Sequence, residues 1–126
     1  MADYTPVFTG GKVPFTSQAS ATITGGQLVS ASGNNTCAPS GLDSANVLGV
    51  AAHDAASGAK VTVWPLPGVT HEIASTGTIA AGDGIKAGAA GVAATVVVAT
   101  GAAAGTLLGV AETGATGGAL VRFIGR

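Results

Sequence analysis

Residues 48–63 read LGVAAHDAASGAKVTV, and residues 108–123 repeat the pattern as LGVAETGATGGALVRF. Eight positions are identical when the second stretch is aligned 60 residues behind the first. A similar lead-in precedes each stretch at a spacing of 56, ITGGQLV at residues 23–29 and IAAGDGI at residues 79–85. This conserved order predicts an internal duplication, with units of about residues 23–64 and 79–124. The alternative is a coincidence of composition, because glycine and alanine are frequent enough to align with themselves.

Composition limits the possible classes of function. A chain of 126 residues predicts one domain with a modest core. Charged residues make up 9% of the chain and the formal net charge is −1, whereas a nucleic-acid-binding domain needs a basic surface that neutralises phosphates. The hydrophobic content of 47% argues against disorder. The single cysteine, Cys37, cannot close a disulfide within the chain. We expect a folded domain that binds no nucleic acid.

Two segments bear on targeting and membranes. The first twelve residues, MADYTPVFTGGK, lack the continuous apolar core of a signal peptide. Residues 87–111 carry no charge and are long enough to span a bilayer. That stretch is mostly alanine, is interrupted by five glycines, and contains few of the large apolar residues that favour membrane insertion. We expect neither a signal peptide nor a membrane span.

The local pattern favours strands over helices. The 21 glycines leave few helix-length windows, and each interior glycine costs a helix about 1 kcal/mol. Valine, isoleucine and threonine cluster in short runs bounded by Gly, Pro, Asn or Asp, which is typical of strands and turns. KVTVW at residues 60–64 alternates polar and apolar positions, and LVRFI at residues 120–124 is its counterpart. Residues 94–99 and 106–111 are further predicted strands.

Read this way, each repeated phrase is a hairpin. A strand ending in LGVA leads into a turn of small residues, in which Gly58 or Gly118 can adopt a positive φ. Gly26 and Gly82 open the turn of each lead-in. The prediction is an all-β fold: a small Gly/Ala-rich barrel or sandwich built from two related β-units. An extended N-terminal arm over residues 1–20 precedes a single β domain over residues 21–126.

The inventory of reactive side chains is small. It comprises two histidines, one cysteine and six acidic residues. In His53-Asp54 and His71-Glu72, adjacent strand residues point to opposite faces, so neither pair converges on one ligand. Cys37 lacks a basic neighbour in sequence that would make its thiol reactive. Gly10-Gly11-Lys12 is followed by valine, not by the Ser or Thr of a phosphate-binding loop. We predict no catalytic, cofactor or metal site, and therefore no enzyme.

Other residues point to an interface. Tyr4, Phe8 and Phe15 lie in a segment broken by Pro and Gly, and aromatic side chains are enriched at interface centres. Trp64 and Leu66 lie in a WPLPGV stretch whose two prolines favour an extended loop, and His71 follows it. A core of small side chains buries little area per residue, so assembly would add stability. The alternative is that both stretches cover the ends of the protein's own barrel.

These motifs together resemble a known family. They are an I-x-x-G-[QD]-x-[VI] lead-in, a GVA strand, a small-residue hairpin, a V-x-V strand before Gly-Val, and a second set that ends in V-x-F. The chain is similar in them to the capsid cement, or head decoration, proteins of tailed bacteriophages, over about residues 20–124. The residues that carry the likeness are Gly26, Val29, Gly49-Val50-Ala51, Gly58, Val61, Val63, Gly68-Val69, Gly82-Asp83, Gly109-Val110-Ala111 and Val121.

The resemblance implies a role without an active site. Proteins of this family bind the outside of an assembled head, usually as homotrimers, and lock neighbouring major capsid protein subunits together. The implied location is the outer capsid surface of the virion, after synthesis in the host cytoplasm. The expected interface residues are Tyr4, Phe8, Phe15, Trp64, Leu66 and His71. Two alternatives stay open: a trimeric phage tail fibre or spike module, and a small enzyme or carbohydrate-binding barrel, which the few aromatics and acids disfavour.

Overall fold

A computed structural model describes residues 3–126; Met1 and Ala2, the first residues of the predicted arm, lie outside the described residues. The elements in chain order are β1 (Phe15–Ala19), β2 (Leu28–Gly33), β3 (Thr36–Pro39), β4 (Val47–Ala51), β5 (Lys60–Pro65), β6 (Thr70–Ala74), β7 (Thr78–Ile79), β8 (Gly84–Ala87), a 3₁₀ turn (Ala89–Gly91), β9 (Ala93–Val96), α1 (Val98–Ala104), β10 (Gly109–Ala111), β11 (Ala115–Thr116) and β12 (Leu120–Gly125). The predicted all-β fold is confirmed.

The first unit, called unit 1 below, is a closed five-stranded barrel in the order β1-β3-β2-β4-β5. It closes because β5 pairs antiparallel with β1, with Phe15 opposite Val63. The second unit, called unit 2 below, is a five-stranded sheet in the order β6-β12-β10-β8-β9. Its edge strands β6 and β9 approach each other at the isolated parallel bridge between Ser75 and Ala93. β7 and β11 form a separate two-stranded sheet.

Strand pairing follows the same register in both units. Each cross-strand pair in the first unit has a counterpart in the second: Phe15–Val63 matches His71–Phe123, Leu28–Val50 matches Gly84–Val110, Val50–Trp64 matches Val110–Ile124, and Ile23–Ala55 matches Ile79–Ala115. The two units are therefore related strand by strand. The repeat begins earlier than residues 23 and 79, because β1 and β6 are also equivalent. β1 spans Phe15–Ala19, within residues 1–20, for which the sequence predicts an extended arm.

The duplicated LGVA phrase has a steric reason. A Cβ atom at Gly49 would lie 2.0 Å from the Trp64 carbonyl oxygen, and one at Gly109 would lie 2.1 Å from that of Ile124. Glycine at both places lets the neighbouring strand backbone approach closely. The predicted positive φ at Gly58 and Gly118 is confirmed, with values of 92° and 88°.

A short helix explains the two spacings of the repeat. Equivalent residues of the two units are 56 positions apart up to the end of β3 in the first unit and β9 in the second. They are 60 positions apart from the start of β4 in the first unit and β10 in the second. The four extra residues lie between β9 and β10, where α1 is inserted. α1 ends at Gly105, whose left-handed φ of 74° lets its N–H cap the last turn. The predicted strand over residues 94–99 is wrong beyond Val96, because the following alanine-rich run forms this helix.

The side chains that fill the two units are equivalent. The barrel of unit 1 encloses Val29, Val61 and Val63, whereas the core of unit 2 encloses Ile85, Val121 and Phe123 at the corresponding positions. A further set from unit 1 packs on the core of unit 2, namely Leu28, Val50 and Leu66. The two units therefore share a continuous apolar contact.

Residues 87–111 divide into short elements and loops instead of one long segment. Within residues 3–126, no helix has the length and hydropathy needed to cross a bilayer.

Candidate functional site

The N-terminal segment, defined here as residues 3–14, runs across both units. The Tyr4 N–H donates to the Ala52 carbonyl at 2.7 Å. Phe8 forms an antiparallel bridge with Thr70 at the start of β6, in which the Thr70 N–H donates to the Phe8 carbonyl at 2.9 Å. The segment therefore adds a short pairing to the edge of β6.

Tyr4 and His71 form a hydrogen-bonded cluster beneath this segment. The Tyr4 hydroxyl lies 2.7 Å from His71 Nδ1 and accepts the Glu72 N–H at 3.2 Å. His71 Nε2 lies 2.9 Å from the Pro65 carbonyl oxygen. Because a carbonyl only accepts, Nε2 carries the ring proton, and Nδ1 accepts the proton of the Tyr4 hydroxyl. His71 is fully buried between Tyr4 and Phe123, with ring centroids 5.8 and 5.7 Å away.

Burial governs the titration of both members of this cluster. Removal of water lowers the pKa of His71, and the hydrogen bond to Pro65 opposes the shift in part. Burial also raises the pKa of the Tyr4 hydroxyl, with Glu72 providing smaller opposed effects through its N–H and its charge. The neutral forms of both side chains are therefore favoured in the folded protein.

The two units differ at the position that His71 occupies. Phe15 is its equivalent in unit 1, because Phe15 faces Val63 as His71 faces Phe123. Tyr4 covers His71, whereas Phe15 remains 39% exposed and lines a pocket of about 240 Å³ with Leu48. A side chain that is covered in one unit is thus open in the other.

Two other apolar residues close to Phe15 in the chain are also exposed. Phe8 is 63% exposed and Val13 is 77% exposed, and Lys12 lies beside Val13 in the chain. The term aromatic surface is used below for Phe8, Val13 and Phe15. Gly10 allows this loop to approach residue 68 closely, since a Cβ there would lie 2.2 Å from the Gly68 carbonyl oxygen. Three exposed apolar side chains within eight residues of the chain make residues 8–15 the candidate contact region for a partner.

The other predicted interface residues lie deeper. Trp64 is half-buried on β5 and pairs with Val50. Leu66 and His71 are buried in the chain's own core, so they present no surface to a partner. Their place at an interface stays a prediction, and in the single chain the WPLPG loop packs against unit 2 through the Gly68 N–H, which donates to the Gly125 carbonyl at 3.1 Å. Tyr4 is half-buried and packs against the same core.

The remaining reactive residues have structural contacts. The Thr62 N–H donates to His53 Nε2 at 3.2 Å, and His53 Nδ1 donates to the Asp54 carbonyl at 2.9 Å. Asp83 Oδ2 accepts the Ala80 N–H at 2.9 Å in the lead-in turn. Cys37 is fully buried in the barrel core. In the part of the chain that the structure describes, no three His, Cys, Asp or Glu residues come together as metal ligands.

Sequence reasoning missed Val13 and Leu120 as exposed apolar residues, the latter being 59% exposed. The alignment of the two units contains a signal for Leu120, since unit 1 carries Lys60 at the equivalent position. Nothing in the sequence indicates the contact between Tyr4 and His71, which are 67 residues apart.

The fold has a counterpart among solved structures. A structure described as the head fibre gp8.5 N base of bacteriophage phi29 superimposes with a TM-score of 0.69 at 22% sequence identity. The superposition covers 90% of this chain and 93% of that chain. At this level of identity the likeness concerns the fold. No protein-family model matches the chain, and no curated protein matches it.

Proposed function

We propose that this chain is a structural protein of a tailed-phage virion that binds the outer surface of the head and holds neighbouring major capsid subunits together. The observation that carries this proposal is the aromatic surface, displayed on a fold shared with a head-fibre base. The role needs contact area and no chemistry. It agrees with a set of reactive side chains that are engaged in the protein's own hydrogen bonds and core.

The aromatic surface suits a protein partner. Phenylalanine supplies a large apolar area, and the most important residues of an interface commonly lie in pockets at its centre. The pocket beside Phe15 lies open in unit 1, and in unit 2 Tyr4 stacks on His71, the residue equivalent to Phe15. A side chain of the capsid subunit would cover Phe15 as Tyr4 covers His71.

The proposal includes assembly and location. The protein acts as a homotrimer on the outer capsid surface, requires no cofactor and is not an enzyme. Each copy would repeat the same contact around the shell, so that an interface of modest affinity adds up to a large effect on head stability.

Head stability provides the test. Heads that lack the protein should assemble but release DNA at lower temperature or after osmotic shock, and added protein should restore them. Phe8→Ala and Phe15→Ala should each weaken head binding roughly 10–30-fold, the cost of losing a central contact of about 1.4–2 kcal/mol. Leu42→Ala is a matched control, since Leu42 is 64% exposed outside the aromatic surface. Heads that are equally stable with and without the protein would refute the cement role.

A second candidate is the base of a head fibre, which the description of the phi29 structure favours. In this case the chain would anchor an elongated module to the head instead of bridging capsid subunits. Analytical ultracentrifugation separates the two. A compact trimer supports the cement role, whereas an elongated assembly that carries further polypeptide at the head surface supports the fibre base.

A further inference from the structure

A second surface lies at the other end of the β6 edge. A groove of about 460 Å³ runs between β6, the lead-in turn of unit 1 and the 3₁₀ turn of unit 2. Its lining includes Ile73, Val92 and Leu120, together with the acidic residues Asp3 and Glu72. This size is within the range of sites that bind small molecules or a few side chains.

The two units close differently beside this groove. In unit 1, β1 pairs with β3 from Gln18–Thr36 to Ala19–Cys37, and this pairing closes the barrel. In unit 2, the 3₁₀ turn is drawn toward unit 1, where the Gly91 N–H donates to the Ser40 carbonyl at 2.9 Å. A Cβ at Gly91 would lie 2.8 Å from the Leu28 carbonyl oxygen, so the approach is close. The chain before β9 therefore stands away from β6.

The open part of β6 is an edge to which a strand can be added. β6 is the outer strand of its sheet and pairs on one side with β12. On the other side Phe8 already pairs antiparallel with Thr70, and Ser75 forms a parallel bridge with Ala93. Between these bridges, Glu72–Ala74 lines the groove, and within this stretch the Glu72 N–H already donates to the Tyr4 hydroxyl at 3.2 Å. An added strand would therefore pair with the main-chain groups that Tyr4 leaves open. The edges of sheets bind extended peptides through their main chain, and pockets for alternate side chains give specificity.

The charges of the groove favour a basic occupant. Glu72 Oε2 lies 3.5 Å from Arg122 Nε, in an ion pair whose geometry falls short of a hydrogen bond. Asp3 adds a second carboxylate at the same groove. A Lys or Arg side chain beside an apolar residue would match both the carboxylates and the apolar lining, and charge complementarity mainly sets specificity and association rate.

We propose that this groove binds an extended segment of the capsid subunit in which Lys or Arg alternates with Val, Ile or Leu, paired along Glu72–Ala74. This inference rests on the proposed function for the origin of the segment. The groove then forms a second contact with the same partner, on the strand edge that also holds Phe8 of the aromatic surface.

The repeat suggests a variant that fills the groove with the residue types found at the equivalent positions of unit 1. Unit 1 pairs Gln18 with Lys60 where unit 2 pairs Ala74 with Leu120. The double variant Ala74→Gln/Leu120→Lys therefore places in unit 2 a pair that the fold already accommodates. It narrows the groove, removes an exposed leucine and adds a positive charge that repels a basic segment. Leu42→Lys is the matched control for adding a charge at an exposed leucine.

The probe is a short peptide that alternates valine and lysine, compared with a valine/glutamate peptide of the same length. In ¹⁵N-labelled protein, the lysine peptide should produce saturable chemical-shift changes at the amides of residues 72–74 and 91–92. The expected Kd is about 0.1–1 mM, equivalent to roughly 4–5.5 kcal/mol. The double variant should weaken this binding at least tenfold, and Leu42→Lys should leave it unchanged.

Several results would overturn the inference. The first is the absence of saturable chemical-shift changes at these amides. The second is equal binding of the lysine and glutamate peptides, or equal binding of the lysine peptide to the double variant and the unchanged protein. The third is occupation of the groove by a second copy of the chain, detected as self-association that the double variant abolishes. Co-sedimentation with heads separates this inference from the proposed function. Protein that binds heads through the aromatic surface while the peptide does not enter the groove refutes only the groove, whereas peptide binding without head binding refutes the proposed partner.

Discussion

Removal of the Tyr4 hydroxyl tests how the N-terminal segment is held. Tyr4→Phe keeps the ring stacked on His71 and deletes two hydrogen bonds, at 2.7 Å to His71 Nδ1 and at 3.2 Å from the Glu72 N–H. Each bond contributes about 0.5–1.5 kcal/mol, and a buried group left unsatisfied costs about 1–3 kcal/mol. Because His71 is fully buried and Tyr4 only half-buried, we expect a loss of roughly 2 kcal/mol in the free energy of unfolding.

Urea unfolding at pH 7.5, followed by the fluorescence of Trp64, measures this loss. In a thermal melt of a domain of this size, the same loss corresponds to a fall in Tm of roughly 6–10 °C. Phe8→Ala is the control in the same segment, and because its side chain is mostly exposed it should cost less than about 1 kcal/mol.

A double-mutant cycle makes the test specific. His71→Phe introduces the residue type that unit 1 carries at Phe15. Replacing both partners by apolar rings should cost less than the sum of the single changes, with a coupling of about 1 kcal/mol or more. A Tyr4→Phe variant within about 0.5 kcal/mol of the unchanged protein, or strictly additive changes, would show that the hydroxyl does not stabilise the fold by this bond.

Three further outcomes follow from the same structure. The free energy of unfolding should decline as the pH falls below about 6.5, because His71 in the unfolded chain takes up a proton there while the folded ring, with its lowered pKa, resists protonation. This decline should be absent in His71→Phe. An unchanged dependence of stability on pH in that variant would contradict the prediction. Gly49→Ala should destabilise the protein by about 2 kcal/mol or more through collision with the Trp64 carbonyl, whereas Gly41→Ala, with open space around it, should be neutral within about 0.5 kcal/mol in the same urea assay. The Cys37 thiol should react with a coloured disulfide reagent only on unfolding, and rapid reaction of the native protein would count against its burial.

The sequence alone determined the all-β class and the paired LGVA hairpins. These features depend on local physics: the period of two along a strand, and the freedom of glycine to adopt a positive φ at Gly58 and Gly118. Because both units carry the same short sequence motifs, the repeat could be recognised from the sequence alone. Its true start was hidden, since Phe15 and His71 are unlike residues at equivalent places.

Only the tertiary structure decided which aromatic and apolar residues remain exposed. Phe8 and Phe15 stay open while Leu66 and His71 are buried, although all four lie in similar Pro- and Gly-rich surroundings. The difference arises because the N-terminal segment crosses to unit 2 and places Tyr4 on His71, 67 residues away. The groove likewise brings together residues 24–27, 72–74 and 90–92, which are distant in the chain. Contacts between residues so distant depend on the packing of the whole chain, which local propensity does not encode.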